Sequence, residues 1–184
     1  MSVYFSHFPK ILYGNQIVRD ITRRTNFLDQ HLSNPFLFLP YTIQDGEKPE
    51  DIAHYYYGSV DYTWLVLMSN GIFDTYTEWP MNQEVWEKYM IQKYRTQAGS
   101  DHYSVIDWTR NQTITENILF HYNEELDVRV NPETIMHTAD PSGFRPIRIY
   151  EYEMELNEFK RNIRLVDRSK LDSVVSEFRS RITG

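Results

Sequence analysis

Six histidines, at positions 7, 31, 54, 102, 121 and 137, are the first residues to weigh as carriers of chemistry. No two of them stand at metal-ligand spacing and there is no HExxH, so a metal site is not predicted. The chain contains no cysteine, which removes disulfides and thiolate ligands. Asp101, His102 and Asp107 lie close together in "SDHYSVID", but the stretch reads more simply as a turn with ordinary polar residues. The pairs Asp45/Glu47 and Glu50/Asp51 fit a turn and a helix start, and Glu124/Glu125 would do acid–base work only across a cleft. His54 reads as a partly exposed helical histidine. No glycine-rich phosphate loop followed by lysine, no dinucleotide fingerprint and no GxSxG elbow is present. The sequence therefore predicts no catalytic residue, no cofactor and no metal, and the chain is not expected to be an enzyme.

The composition points elsewhere. Of 184 residues, 14 are Tyr, 10 Phe and 4 Trp, while the mean hydropathy is −0.58. Tyr and Trp join a large apolar face to a polar tip and are favoured at interfaces. The net charge is −7, and the tightest basic cluster is the pair in "VRDITRRTN", so a nucleic-acid partner is not expected. The start, "MSVYFSHFPKILYG", lacks the basic region and apolar run of a signal peptide. No run approaches the roughly 18 apolar residues of a membrane span. The expectation is a soluble intracellular product, or a component of something assembled there.

Four kinds of element must position these residues. Residues 1–40 are apolar yet irregular, interrupted by Pro9 and Gly14, with a short helix predicted over 26–32. Tyr41–Ile43 reads as a strand, "QDGE" as a turn, and "PEDIAHYYY" as a helix with Pro49 at its first position and acids in its first turn. Gly58 ends it, Ser59 caps the next, and "VDYTWLVLMSN" is apolar on too wide an arc for a surface helix. Ile43, Ile52, Ala53, Trp64, Leu65 and Leu67 form the predicted core. A third helix is predicted from Gln83 to Tyr94, capped by Asn82. "YSVIDW", "NILFHYN", "LDVRV", "RPIRIYEYEM" and "NIRLVD" read as strands, with a short helix over 155–160. Ser169 is the predicted cap of a last amphipathic helix. The expected class is α+β, divided as 1–40, 41–80 and 81–184.

Within "YTIQDGEKPEDIAHYYYGSVDYTWLVLMSNG" the chain resembles a LysM module at Tyr41, Ile43, Gly46, Ile52, Ala53, Leu65 and Asn70. Glu47 stands where that family has aspartate, and its closing strand segment is replaced by "FDTYTEWPMN". A wider resemblance covers nearly the whole chain. "GEKPEDIAHYYYG", the Trp64–Leu67–Asn70 set, "IQKY" and "LNEFKRNIRLVDRSKLDSVVSEFRSRI" are similar to the baseplate wedge proteins of contractile-tailed phages, the LysM-like component of gene product 53 type.

That resemblance implies a structural virion protein of the tail baseplate, assembled in the host cytoplasm. It implies partners among the other wedge proteins and the sheath-initiator protein, joined at the inner baseplate. The alternative is a LysM-type glycan-binding module, for which no separate catalytic region is evident, and glycan binding is not expected. The candidate partner-binding residues lie in the first 40: Tyr4, Phe5, Phe8, Ile11, Leu12 and Tyr13, with Arg19, Arg23 and Arg24 placed to pair with charges at the rim.

Overall fold

The structure, a computed structural model, describes residues 3–23, 34–99 and 102–183. It is a mixture of helices and small antiparallel sheets, so the class is α+β. The predicted helix over 26–32 lies outside the described residues. Helix α1 (Val3–Ser6) leads into the hairpin of β1 (Lys10–Tyr13) and β2 (Gln16–Arg19). Between them Gly14 and Asn15 both adopt positive φ, 51° and 64°, the backbone of a two-residue hairpin turn whose twist matches its strands. The irregular look of this stretch thus comes from three short elements in 17 residues.

Strand β3 (Phe38–Thr42) is followed by helix α2 (Pro49–Tyr57), a 3-10 turn and helix α3 (Thr63–Ser69). The local signals act as read. Asp51 accepts a hydrogen bond from the Lys48 backbone N–H, Gly58 ends α2 at φ 81°, and the Ser59 hydroxyl accepts from the Asp61 N–H. Before α2, the Tyr41 hydroxyl donates to Glu47 at 2.7 Å. Burial and that carboxylate push the Tyr41 phenol up to about 12. Helix α3 is buried on two sides, with Trp64 and Leu65 in one apolar cluster and Val66 in another. Leu67 is only partly buried, and Val66 takes the core position beside it.

The partner of β3 lies far along the chain. It is β7 (Asn162–Val166), antiparallel, with Phe38 opposite Val166 and Thr42 opposite Asn162. Helix α3 is held to β7 by Asn70. Its amide nitrogen donates to the Arg164 carbonyl at 2.9 Å and its oxygen accepts from the Arg164 N–H at 2.9 Å. Arg164 faces Pro40 in the ladder, and its backbone groups turn away from that residue toward Asn70, so proline's missing N–H costs nothing there. Replacing Asn70 by alanine would remove the side-chain amide from both Arg164 backbone groups, with the carbonyl still reached by the Ser69 hydroxyl at 3.5 Å. A loss of about 1–3 kcal/mol is expected because the site is half-buried. Urea denaturation of N70A would read it, and a midpoint equal to the parent's would remove Asn70 from this role.

By internal contacts the chain divides into Met1–Pro80 with Lys160–Gly184, and Met81–Phe159, a boundary at 159/160 that the sequence does not mark. The first unit closes with a 3-10 turn and a last helix (Leu171–Thr183). Its cap is Asp167, which accepts from the Ser169 N–H at 2.7 Å, in place of the predicted Ser169. Val174, Val175, Phe178 and Ile182 face the cluster of Trp64 and Leu65.

The second unit begins with α4 (Gln83–Ala98), capped by Asn82 through the Val85 N–H, and α5 (His102–Arg110). Strands β4 (Ile118–Asn123), β5 (Val128–Val130) and β6 (Arg145–Arg148) form a sheet in the order β5–β4–β6, with a short helix (α6, Pro132–Ile135) between the last two. Helix α7 (Ile149–Phe159) completes the unit. Two expectations fail here. "YSVIDW" lies in α5: its buried residues, Val105 and Thr109, stand four apart, which suits a helix. "RPIRIYEYEM" is strand only to Arg148, and the predicted helix over 155–160 begins at Ile149. Its buried stripe, Ile149, Glu153 and Asn157, has helical spacing but is mostly polar, while Tyr150, Tyr152, Met154 and Leu156 imitate strand alternation. Asn157 binds both Met81 backbone groups, at 2.8 and 2.9 Å, so the start and end of this unit meet.

Candidate interaction surfaces

The residues predicted for partner binding divide into two sets. Tyr4 and Phe8 face inward, where Tyr4 packs at 5.8 Å from the rings of both Trp64 and Phe178, and Phe8 is buried in the same cluster. Phe5 is exposed beside them and meets Phe8 at 5.7 Å. The hairpin turns outward. Leu12, Tyr13 and Ile17 are 73%, 75% and 73% exposed, and Ile11 is exposed on the other hairpin face. Leu12 lies opposite Ile17, so one face carries an aliphatic pair; Ile11 and Val18 supply the other. An isolated two-stranded hairpin is marginally stable in water, and this one is tied down at its base. The guanidinium of Arg19 donates to the carbonyls of Ser6 and Phe8 at 2.7 and 2.6 Å.

Arg19 therefore braces the hairpin from within. Arg23 pairs with Asp20 at 3.3 Å and donates to the Ile182 carbonyl at the end of the last helix, where a cation offsets the helix dipole. Arg24 lies outside the described residues. His7 accepts from Arg179 Nε at 3.1 Å. Burial, Arg179 and Arg19 all lower its pKa, which keeps the ring neutral and able to accept.

The second unit contains a group that sequence reasoning missed. Glu153, 5% exposed, accepts from Lys93 Nζ at 2.7 Å, the Tyr94 hydroxyl at 2.6 Å and the Tyr89 hydroxyl at 3.1 Å. Burial alone would raise its pKa, but these donors hold the carboxyl below its ordinary value. Its neighbours shift to match: burial and Glu153 raise Tyr94, while for Lys93 the bonds to Glu153 and Tyr89 outweigh a burial that would lower it. A carboxylate so ionised, with its oxygens occupied, braces α4 against α7. The signal for it was the four-residue spacing of Ile149, Glu153 and Asn157.

The remaining candidates stay apart. His54 and His137 are exposed, His31 and Asp101 lie outside the described residues, as does the His102 side chain, and Asp107 pairs with Arg110. Burial and Arg148 lower the pKa of His121, whose Nδ1 has no partner among the described residues. Glu124 pairs with Arg145. Among the described residues there is no cluster of three His, Asp or Glu that would hold a metal ion. No helix among them is long and apolar enough to cross a membrane. A cleft of about 390 Å³ between the sheet and α7 has Phe120, Ile147 and Leu156 in its lining, with Arg129 stacked 5.0 Å from Phe120.

What the surface offers is thus exposed apolar side chains on braced elements. The comparisons with known proteins agree with a role in assembly. The model of a family described as base plate wedge protein 53 matches residues 14–181. The chain is also 24% identical, over 152 residues, to the baseplate wedge protein gp53 of Enterobacteria phage T4, an alignment covering 74% of this chain and 69% of that protein. With the match running from the hairpin turn almost to the end of the last helix, the chain belongs to the baseplate wedge protein 53 family of phage tail proteins.

Proposed function

We propose that this protein is a structural joint of the tail baseplate, connecting wedge proteins to one another and to the sheath-initiator protein at the inner baseplate after synthesis in the host cytoplasm. The first 40 residues are its partner-binding region, and the hairpin is the part of them that docks. The observation carrying this reading is the outward apolar set Ile11, Leu12, Tyr13 and Ile17 on an internally braced hairpin. A partner covering this set would bury Tyr13, a residue type that dominates interface energetics, within an apolar surround. We read strand β3, helices α2 and α3 and the returning strand β7 as a LysM-like unit whose second strand comes after the excursion through 81–159; the element order supports that reading.

The test is the triple substitution L12S/Y13S/I17S. Deleting residues 1–21 would also strip Phe8 from the core, so side-chain changes isolate the hairpin. The variant is expected to melt within a few degrees of the parent and to lose binding to the isolated wedge proteins by about 100-fold or more. Binding at parental affinity by the folded variant would refute the docking role of the hairpin.

A further inference from the structure

The sheets of this chain differ in how their edges end. Strand β3 turns the backbone of Pro40 outward, a residue with no N–H to offer, and the Thr42 carbonyl at the same edge accepts from Gln44 Nε2 at 3.0 Å. The outer side of β7 is held by Asn70. In the three-stranded sheet, edge strand β6 carries Pro146, and edge strand β5 is only three residues long. Prolines and very short edge strands are devices that keep a sheet edge from pairing with another chain. Strand β1 contains no proline, and its outer edge is built differently.

The Asp20 N–H donates to the Pro9 carbonyl at 2.8 Å, and with the two-residue turn this fixes the phase of the β1–β2 ladder. Pro9, Ile11 and Tyr13 bond across to β2, so the backbone N–H and C=O groups of Lys10 and Leu12 point to the open side. No hydrogen bond among the described residues reaches those groups. On the opposite edge the outward Arg19 carbonyl already accepts from the Ile21 N–H. All four residues of β1 are exposed, and its apolar side chains lie on both faces. A two-stranded ribbon needs a third strand or a covering layer to be stable in its own right. We propose that the open edge of β1 pairs with an extended strand of a partner protein, which adds a third strand to the hairpin; the proposal rests on the docking role of the hairpin given above. Main-chain hydrogen bonds to Lys10 and Leu12 give the affinity, and alternate side chains give the specificity. The added strand is apolar on both faces, to match Ile11 and Tyr13 on one side and Leu12 on the other, and carries an acidic residue beside Lys10, which has no ion pair among the described residues.

Proline at an outward position removes the edge N–H and obstructs an added strand, while the ladder to the neighbouring strand keeps its bonds. Leu12→Pro and, at the opposite edge, Ile17→Pro are each compared with alanine at the same position, in the full chain, by titration against the isolated wedge proteins. L12P is expected to bind roughly tenfold more weakly than L12A, and I17P to match I17A within about twofold. A second measurement uses the unsubstituted chain. Its Leu12 amide is expected to exchange quickly with solvent when the chain is free and slowly in the complex. A Leu12 amide that exchanges as fast in the complex as in the free chain overturns the proposal, and so does L12P binding as well as L12A. If L12S/Y13S/I17S loses binding while L12P equals L12A, the hairpin docks through its side chains and only the strand pairing falls. Parental binding by the triple variant removes the hairpin and the pairing together. Slow Leu12 exchange in the free chain, with self-association, would make a second copy the occupant and overturn the partner strand.

Discussion

Trp64→Ala is expected to cost about 3–5 kcal/mol, the largest loss of any single substitution considered for this chain. Trp64 is 9% exposed and lies between elements distant in sequence: its ring is 4.4 Å from that of Phe178, 5.8 Å from Tyr4 and 6.1 Å from His7. Truncation leaves a cavity against the last helix and the amino-terminal helix together, and neither can close it without moving the other. The melting temperature is expected to fall by roughly 10 °C. Since the chain consists of two units, a single transition need not describe it. Hydrogen exchange is the sharper measurement. Amides of α3, β7 and the last helix are expected to lose protection, while those of α4 and α7 keep theirs. A W64A variant that melts with the parent would remove Trp64 from the core.

Glu153→Ala is the second. Breaking a buried ion pair by removing one partner costs about 3–5 kcal/mol, and the lower end applies because Lys93 keeps access to water. The buried Tyr94 hydroxyl also loses its acceptor. The same carboxylate predicts a pH dependence. Its folded pKa lies below the ordinary 4.5 of a glutamate, so its contribution is full above that pH and is lost as the pH falls through the folded value. Lys93 has the opposite sense: its folded pKa lies above 10.5, so its contribution is full below that pH and is lost only as the pH rises through the folded value. Between pH 5 and 9, therefore, the pair is expected to give a flat profile. Denaturation of the parent and of E153Q between pH 6 and pH 3 separates the two: the difference in stability should shrink as acid is added. A constant difference would show that Glu153 is not held ionised by its neighbours.

Elements whose ends are fixed by adjacent residues were legible in the sequence. Pro49, Gly58, Ser59 and Asn82 each act within a few positions, and the helix ends they set fall where expected, although the helix that Asn82 starts runs on to Ala98 rather than stopping at Tyr94. The amphipathic last helix was equally plain, because its buried residues are all apolar. Helix α7 was not, since two of its three buried positions are Glu and Asn, and a hydrophobic pattern cannot count those as core. Their burial is tolerable only through partners on other elements, Lys93 and two tyrosines for Glu153 and the Met81 backbone for Asn157. Of the candidate partner-binding residues, the aromatics and aliphatics were visible as a group. Their division into inward Tyr4 and Phe8 and outward Leu12 and Tyr13 depends on Trp64 and Phe178, which no local pattern connects to them. Arg19 and Arg23 looked like rim charges because the carbonyls they satisfy are invisible in a list of side chains.

The pairing of β3 with β7 has a consequence for how the chain is made. About 120 residues separate the two strands, and at about 5–20 residues per second the first leaves the ribosome some 6–24 s before its partner. Through that interval Phe38, Leu39 and the apolar sides of α2 and α3 lack the ladder and half of their core. The intervening segment is complete earlier and folds within its own contacts, with Asn157 drawing its end back to Met81. Its folding reduces the entropy of closing so long a loop to that of a short one, because the tether that the last strand must span is then only a few residues. The nascent chain thus runs a measurable risk of sticking to its neighbours while β3 is unpaired. Variants that slow the folding of 81–159 are expected to aggregate during synthesis even where the finished protein is as stable as the parent.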